Sequence, residues 1–321
     1  MRPMNSETFN QVRVIAIPDD VAGQRVDNYL LARLKGVPKS RIYKMLRKGE
    51  VRANKKRIKP DYRLQAGDQL RIPPVRTSTE KAPVSTGLEQ VSRLEHCILH
   101  ETDRLLVLNK PPMMAVHGGS GLSFGVIEAL RALRPGAPYL ELVHRLDRAT
   151  SGCLLIAKKR SCLRLLHRQL ETKTMRKRYL ALVVGDWPTH LKKVSAPLRK
   201  QEAGAGERLV GVDDAGKASL TRFEVVRRFD GYTLVAAEPV TGRTHQIRVH
   251  AASSGHPLVG DDKYGDTSVN NRFFGRQQPR LFLHAEQLRF REREEGDELT
   301  VEAPLPGDLD AILAKLQPIP E

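Results

Sequence analysis

Asp147 stands in the run Val143-His144-Arg145-Leu146-Asp147-Arg148-Ala149-Thr150-Ser151-Gly152, where two opposite charges interrupt an apolar stretch that ends in a polar turn. If residues 142–147 form a strand, alternation puts Arg145 and Asp147 on one face and His144 and Leu146 on the other. A charge buried inside such a strand costs on the order of several kcal/mol unless it is paired or stays hydrated in a cleft. An isolated Arg–Asp pair would do no more than tie strands together. Here the hydroxyls of Thr150 and Ser151 and the flexible Gly152 follow at once, and these can orient a carboxylate. Asp147 is therefore the first candidate for chemistry.

A second run, Thr241 to His250, is followed by Gly255-His256-Pro257-Leu258-Val259-Gly260-Asp261-Asp262-Lys263-Tyr264-Gly265. Read as a strand, it places Thr244, Gln246, Arg248 and His250 on one face and His245, Ile247 and Val249 on the other. His245 and His250 then diverge, and no carboxylate or Cys stands at a ligand spacing, so no metal site is expected. An inward Arg248 needs an anion, and Asp147 would supply it. A third run, Met175 to Gly185, sets Lys177 and Tyr179 on one face. An aromatic ring beside a cation can stack on a nucleobase, although packing in the core is the plainer role for a lone strand tyrosine. The glycines of His117 to Gly125 match neither GxGxxG nor a Walker pattern, so no nucleotide cofactor is expected.

Charge narrows the partner. The 321 residues hold 54 Lys or Arg against 37 Asp or Glu, a formal excess of +17. Residues 20–76 carry 16 of those cations and 5 of the anions, so most of the excess sits in under a fifth of the chain. Solubility does not require one sign of charge gathered in one segment. A polyanion, and nucleic acid in particular, is the expected partner. The apolar run near the N-terminus is far shorter than the roughly 18 residues of a membrane span, and no signal-peptide pattern accompanies it, so a cytoplasmic protein is expected. Cys97, Cys153 and Cys162 include no CxxC pair and read as core thiols.

These charges and runs need elements to position them. Between residues 20 and 76 the pattern gives a helix through Val26, Tyr29, Leu30 and Leu34. A second helix is opened by Ser40 as N-cap and closed by Gly49, with Ile42, Met45 and Leu46 inward. Short hairpin strands follow around Val51–Ala53, Arg57–Ile58 and Gln69–Ile72. The arrangement resembles an S4 RNA-binding domain, with Lys39, Arg41, Lys44, Arg47, Lys48, Lys55, Lys56 and Arg57 as its RNA-binding cations. Residues 1–19 read as an extension and the polar residues 77–95 as a tether. From residue 96 to 321, strands are expected at 104–109, 140–146, 153–157, 178–184, 221–226, 232–237, 245–249 and 280–284, and helices near 123–133 and 160–170. The irregular alternation argues for an α+β domain with a large, mostly antiparallel sheet.

In chain order, HRLDRATSG at 144–152, Lys177-Arg178-Tyr179, GRTHQIRVH at 242–250, GHPLVGDDKYG at 255–265 and RLFLHA at 280–285 resemble the motifs of the RluA-type pseudouridine synthases. With the S4-like part, the resemblance spans nearly the whole chain; Ala149 departs from it, where many members have Asp. It implies a cofactor-free, metal-free isomerisation of uridine by base flipping, acting on 23S rRNA or a pre-50S particle. It implies Asp147 as catalytic carboxylate held by Arg248, Tyr179 stacked on the uracil, Arg145 filling the place of the extruded base, and Leu283 against the base. His144, Lys177, Arg243, His245 and Gln246 join them as substrate-facing residues, and a monomer is expected. A glycosidase would need a second carboxylate about 5 to 10 Å away, and none is evident. A non-catalytic ribosome-assembly factor would explain the charge but leaves Arg145, Asp147 and Arg248 without a purpose.

Overall fold

A computed structural model describes residues 11–34, 37–75, 84–118, 124–203 and 207–319. Lys35 and Gly36, Arg76 and the tether residues 77–83, the glycine-run residues 119–123 and the first ten residues of the extension lie outside the described residues. The chain divides into two compact units, residues 1–83 and 84–321.

The first unit contains β1 (Arg13–Ala16), α1 (Val26–Arg33), α2 (Lys39–Lys48), β2 (Arg52–Ala53), β3 (Lys56–Arg57) and β4 (Gln69–Ile72). Its four strands pair in the order β1-β4-β2-β3. The strand β1 lies in the segment expected to be an extension, yet Arg13 to Ala16 pair with Ile72 to Gln69 and cover the edge of β4. The helix α2 starts at Lys39 behind Pro38 rather than at a Ser40 cap. Pro38 fixes its own φ and has no amide hydrogen to satisfy, so it opens the helix without a side-chain cap. Gly49 ends the helix in the left-handed conformation, at φ 68°. Asn54 and Lys55 both take positive φ, as a two-residue β2–β3 hairpin turn requires. One apolar cluster, including Leu30, Ile42, Met45, Leu46 and Leu70, holds the unit together. Lys39, Lys44, Arg47, Lys48, Lys55, Lys56 and Arg57 are exposed around it, and Arg41 is half-buried against Glu50 at 3.0 Å.

The second unit runs α3 (Glu89–Ser92), β5 (Ile98–Glu101), β6 (Leu105–Lys110), α4 (Val126–Leu133), β7 (Glu141–Leu142), β8 (Ser151–Ala157), α5 (Arg160–Glu171), β9 (Arg176–Val184), β10 (Lys193–Ser195), β11 (Leu198–Ala203), β12 (Glu207–Val212), β13 (Leu220–Phe229), β14 (Tyr232–Pro239), α6 (Gln246–Ser253), α7 (Thr267–Phe274), β15 (Leu283–Arg291), β16 (Glu298–Glu302) and α8 (Gly307–Leu313). Ten strands join one sheet along the path β10-β13-β14-β9-β15-β8-β6-β5, with β16 added to β15 and β7 to β8. The pairings are antiparallel except β8 with β15, where His284 and Ala285 lie beside Ser151 and Gly152. The expected large, mostly antiparallel sheet is thus present. The tether expected to reach residue 95 ends sooner: Val91 and Leu94 are fully buried in the core of this unit, because burying two aliphatic side chains outweighs the polarity of their neighbours.

All seven residues of β8 are buried, and alternation sends Leu154 and Ile156 to one face and Cys153, Leu155 and Ala157 to the other. The first face is covered by α4 and by Ile247 and Ala251 of α6. The second is covered by α5 beneath β8, and by α7 and α8 beneath β9 and β14. Tyr179 and Leu146 belong to the first face, so the chemistry-bearing runs gather there. Cys153 and Cys162 are buried, Cys97 is half-buried, and all three are free thiols.

Candidate active site

Strand β7 stops at Leu142, so the strand expected over 140–146 is cut short and residues 143–150 form a loop. The reason is local. Val143 N–H donates to the Leu155 carbonyl (3.0 Å), and Leu155 N–H donates to Nε2 of His144 (3.2 Å), which turns the imidazole onto β8 and ends the alternation. Burial, then the Lys177 charge, pushes the His144 pKa down to about 3, so the ring is a neutral acceptor. Arg145 and Asp147 consequently do not share a strand face. Arg145 is exposed, and the Asp147 side chain is 18% exposed in the loop.

Two cations outside the loop fix its backbone. Lys110, at the end of β6, is fully buried, and its ammonium donates to the carbonyls of Pro111 (2.7 Å), Met114 (2.9 Å) and Arg148 (3.2 Å). Burial, then repulsion from Arg280, pushes its pKa down to about 7, and Asp147 acts in the opposite sense. Arg280 is anchored by Asp308 (2.7 Å) and donates to Ser151 Oγ (2.8 Å) and the Ala149 carbonyl (3.3 Å). Arg148 donates to the carbonyl of Met113, a residue held at φ 62°. Gly152, at φ 106°, closes the loop; a Cβ there would collide with the Ala285 carbonyl of β15.

On β9, Lys177 and Tyr179 share a face two residues apart. Tyr179 is 8% exposed, and among the described residues its hydroxyl makes no hydrogen bond. Burial, then the Asp147 charge, raises its pKa. Lys177 is half-buried with Nζ beside Gly242, and burial lowers its pKa. Leu283, 4% exposed, belongs to the same apolar cluster as Tyr179 and Leu146.

Residues 246–253 form a helix, α6, where a strand was expected. Gln246 explains the start: its Oε1 accepts from Thr241 Oγ1 (2.7 Å) and Arg243 N–H (3.0 Å), and its Nε2 donates to the Leu220 carbonyl and Thr221 Oγ1 (both 2.9 Å). All four hydrogen-bonding positions of that buried amide are used inside the protein, so it faces β13 and is not free for substrate. Arg243 is exposed. The helical turn also redirects Arg248. Its Nε and Nη2 grip Asp261 at 2.7 and 2.6 Å, and Nη2 reaches Asp262 at 3.0 Å. Asp147 is therefore not its direct partner, contrary to expectation. Burial opposes the Arg248 charge, the Asp261 bonds outweigh it and raise the pKa, and Asp147 adds to the rise at longer range. Against the effect of burial, Asp261 in turn is held below the usual carboxylate range by Arg248 and by the amides of Tyr264 and Lys263. His250 is wholly buried against Ser219 and Thr221, at 2.9 Å from each hydroxyl. His245 caps α6 and sets Nε2 3.9 Å from Asp147 Oδ2.

The Asp147 carboxylate is 18% exposed, lies 3.9 Å from His245, and acts electrostatically on Lys110, Tyr179, Arg248 and Tyr264. Lys110 and Tyr264 were absent from the sequence-derived site residues. The available signal for the first was a lysine closing an otherwise apolar strand, and for the second an aromatic inside the 255–265 run.

Residues 104–253 match the model of the family described as RNA pseudouridylate synthase, and residues 24–70 match the S4 domain. The chain is 59% identical over 315 residues to the ribosomal large subunit pseudouridine synthase C of Pasteurella multocida (strain Pm70), covering 98% of this chain and 97% of that one. The chain belongs to the RNA pseudouridine synthases. The protein of the same description from Escherichia coli (strain K12) is 57% identical over 317 residues, covering 98% of this chain and 99% of its own. Among solved structures, human RNA pseudouridylate synthase domain containing 1 aligns at TM-score 0.57 and 28% identity over 71% of this chain and 90% of its own. Human RNA pseudouridylate synthase domain containing 4 aligns at TM-score 0.57 and 25% identity over 72% and 97%. The runs that carry Asp147, Tyr179, Arg248 and Leu283 all lie within the synthase unit, and Asp147, Tyr179 and Arg248 fall inside the matched span. No helix among the described residues is long and apolar enough to cross a membrane.

Proposed function

We propose that this synthase converts uridines of bacterial 23S rRNA, free or in a pre-50S particle, to pseudouridine in the cytoplasm, with Asp147 as the reacting carboxylate. The reaction breaks N1–C1′ and forms C5–C1′; the C5 proton leaves and N1 gains one, so atoms and charge balance without redox chemistry. The observation that carries this reading is a partly open carboxylate on a loop pinned by Lys110 and Arg280, next to a tyrosine with an unused hydroxyl. The near full-length similarity to proteins described as acting on the ribosomal large subunit supports the choice of RNA.

In this reading a flipped uridine enters against Tyr179, whose ring stacks on the uracil while it rotates. Leu283 and Leu146 back that ring from the core. Arg145, exposed two residues before Asp147, occupies the gap left in the RNA, which offsets the few kcal/mol, of order, lost on unstacking. Lys177 and Arg243 line the approach as cations for backbone phosphates. Arg248 acts on Asp147 at longer range while Asp261 holds it in place. The first unit supplies sequence-tolerant phosphate contacts through Lys39, Arg41, Lys44, Arg47, Lys48, Lys55, Lys56 and Arg57, joined to the synthase unit by the tether and working as a monomer.

The test is tritium release from 23S rRNA labelled at uridine C5, with products mapped by carbodiimide-blocked primer extension. Wild-type protein is expected to release tritium and give discrete stops, and Asp147→Asn to release none while binding RNA nearly as well. Equal release by Asp147→Asn would remove the carboxylate from the reaction. Tight binding without release from free RNA or particles would favour an assembly role.

A further inference from the structure

His245 is a non-glycine residue in the left-handed region, at φ 55° and ψ 18°. That conformation is unfavourable for a residue with a Cβ and persists where surrounding contacts impose it. Here they aim the ring. Nδ1 lies 2.8 Å from the Tyr264 hydroxyl, and the two rings meet edge to face at 5.5 Å. The same hydroxyl oxygen accepts from Val210 N–H at 2.9 Å. A backbone amide can only donate, so the phenol's single hydrogen stays available for Nδ1, the arrangement in which Nδ1 accepts. In that tautomer Nε2 carries the ring proton, and Nε2 is the nitrogen that faces Asp147 Oδ2 at 3.9 Å.

We propose that His245 is a positioning residue for the reacting carboxylate, presenting Nε2–H to Asp147 in a tautomer that Tyr264 selects. The inference rests on the reading of Asp147 given above. The separation exceeds a charge-assisted N–H···O bond by about 1 Å, a gap of the size that closes when substrate displaces water from a site. A neutral donor fixes one carboxylate oxygen without discharging it and leaves the other for the nucleotide. Burial lowers the His245 pKa against the pull of Asp147, and this suits a neutral donor. The groups facing the ring are Asp147, Arg248, Asp261, Lys263 and Tyr264.

The device extends to the β11–β12 ribbon, which lies outside the main sheet and packs on α6 through Leu198, Val210 and Val249. Through Val210 N–H the ribbon occupies one acceptor site of the Tyr264 oxygen, which favours the phenol as donor to Nδ1.

Full-length His245→Asn, His245→Gln, Tyr264→Phe and Asp147→Asn separate the possibilities in steady-state tritium release. The Asn amide stands near the ring Nδ1 position and tolerates positive φ, so that variant folds but offers nothing to Asp147. The Gln amide reaches the Nε2 position. Expected is a fall in kcat of about tenfold or more for His245→Asn, with KM and melting temperature unchanged, substantial recovery in His245→Gln, and a smaller kcat loss in Tyr264→Phe. Wild-type kcat in His245→Asn overturns the proposal, as does a loss that Gln does not relieve and that follows the melting temperature. Asp147→Asn keeps the two readings apart. If it is inactive while His245→Asn is normal, only the His245 role falls; if it is active, the reading of Asp147 falls.

Discussion

Arg248 and Asp261 form a buried ion pair, 3% and 0% exposed, whose importance lies in what the loss of one partner would leave behind. Two charges in fixed bidentate geometry contribute little net stability over an apolar pair, but one of them alone is an uncompensated charge in the core. Arg248→Ala is accordingly expected to destabilise the synthase unit by about 3–5 kcal/mol, read from denaturant titration, and to slow tritium release. Full stability together with full activity would contradict the pairing. Lysine at 248 keeps the charge but loses the two-pronged grip, and it is expected to recover only part of the loss. Asp147 differs from Asp261: among the described residues no Lys or Arg pairs with its carboxylate, and the neutral His245 ring stands 3.9 Å away, so it remains available to substrate.

At the scale of elements, the loop that carries Asp147 is a short irregular segment whose carbonyls are held by cations from β6 and from the approach to β15. Gly152 is the joint that allows β8 to run against β15. Gly152→Ala places a methyl group on the Ala285 carbonyl at φ 106°, and an unfolding free energy lowered by more than about 2 kcal/mol in urea titration is the expected outcome. His144 makes the loop sensitive to acid. Its folded pKa of about 3 lies below its ordinary 6.5, so the unfolded chain takes up a proton that the fold refuses. Stability from this group is complete above pH 6.5 and is lost as pH falls from 6.5 toward 3. Burial shifts His250 and His284 in the same direction. Guanidinium midpoints at about pH 7.5 and pH 5 are expected to differ less in His144→Gln, which keeps an acceptor for Leu155 N–H but does not titrate. An unchanged difference would exclude His144 as a source of the acid loss.

At the scale of the molecule, charge and chemistry are divided between two units with separate apolar cores. Removal of residues 1–83 is expected to weaken RNA binding and to flatten its dependence on salt, because each phosphate no longer neutralised takes about 0.7 to 0.9 from the logarithmic slope. The synthase unit, which keeps its own cores, is expected to retain its melting temperature. Binding by filter retention at several salt concentrations measures the first effect and calorimetry the second. An unaltered slope would remove the basic face from substrate capture.

Much of this was legible in order and composition. Continuous apolar runs announced β6, β8, β9 and β14, because a strand buried on both faces is apolar along most of its length. Gly49 announced the end of α2, and the local excess of Lys and Arg announced a polyanionic partner. The motif runs identified Asp147, Tyr179 and Arg248 as the residues to watch. What the sequence by itself could not determine was direction. Residues 140–146 and 245–249 have apolar spacing compatible with strands, and hydrogen bonds to residues outside each run turned most of one into a loop and the other into a helix: Leu155 to His144, and Gln246 to Leu220 and Thr221. Those bonds join residues far apart in the chain, so no local pattern carries them. The partner of Arg248 likewise depended on the rotation of α6, and the isolation of Lys110 from water depended on two loops that meet only in the fold. Local periodicity specifies which side chains must be buried; the tertiary structure alone decides which charges meet, because ion pairs form between whatever faces packing brings together.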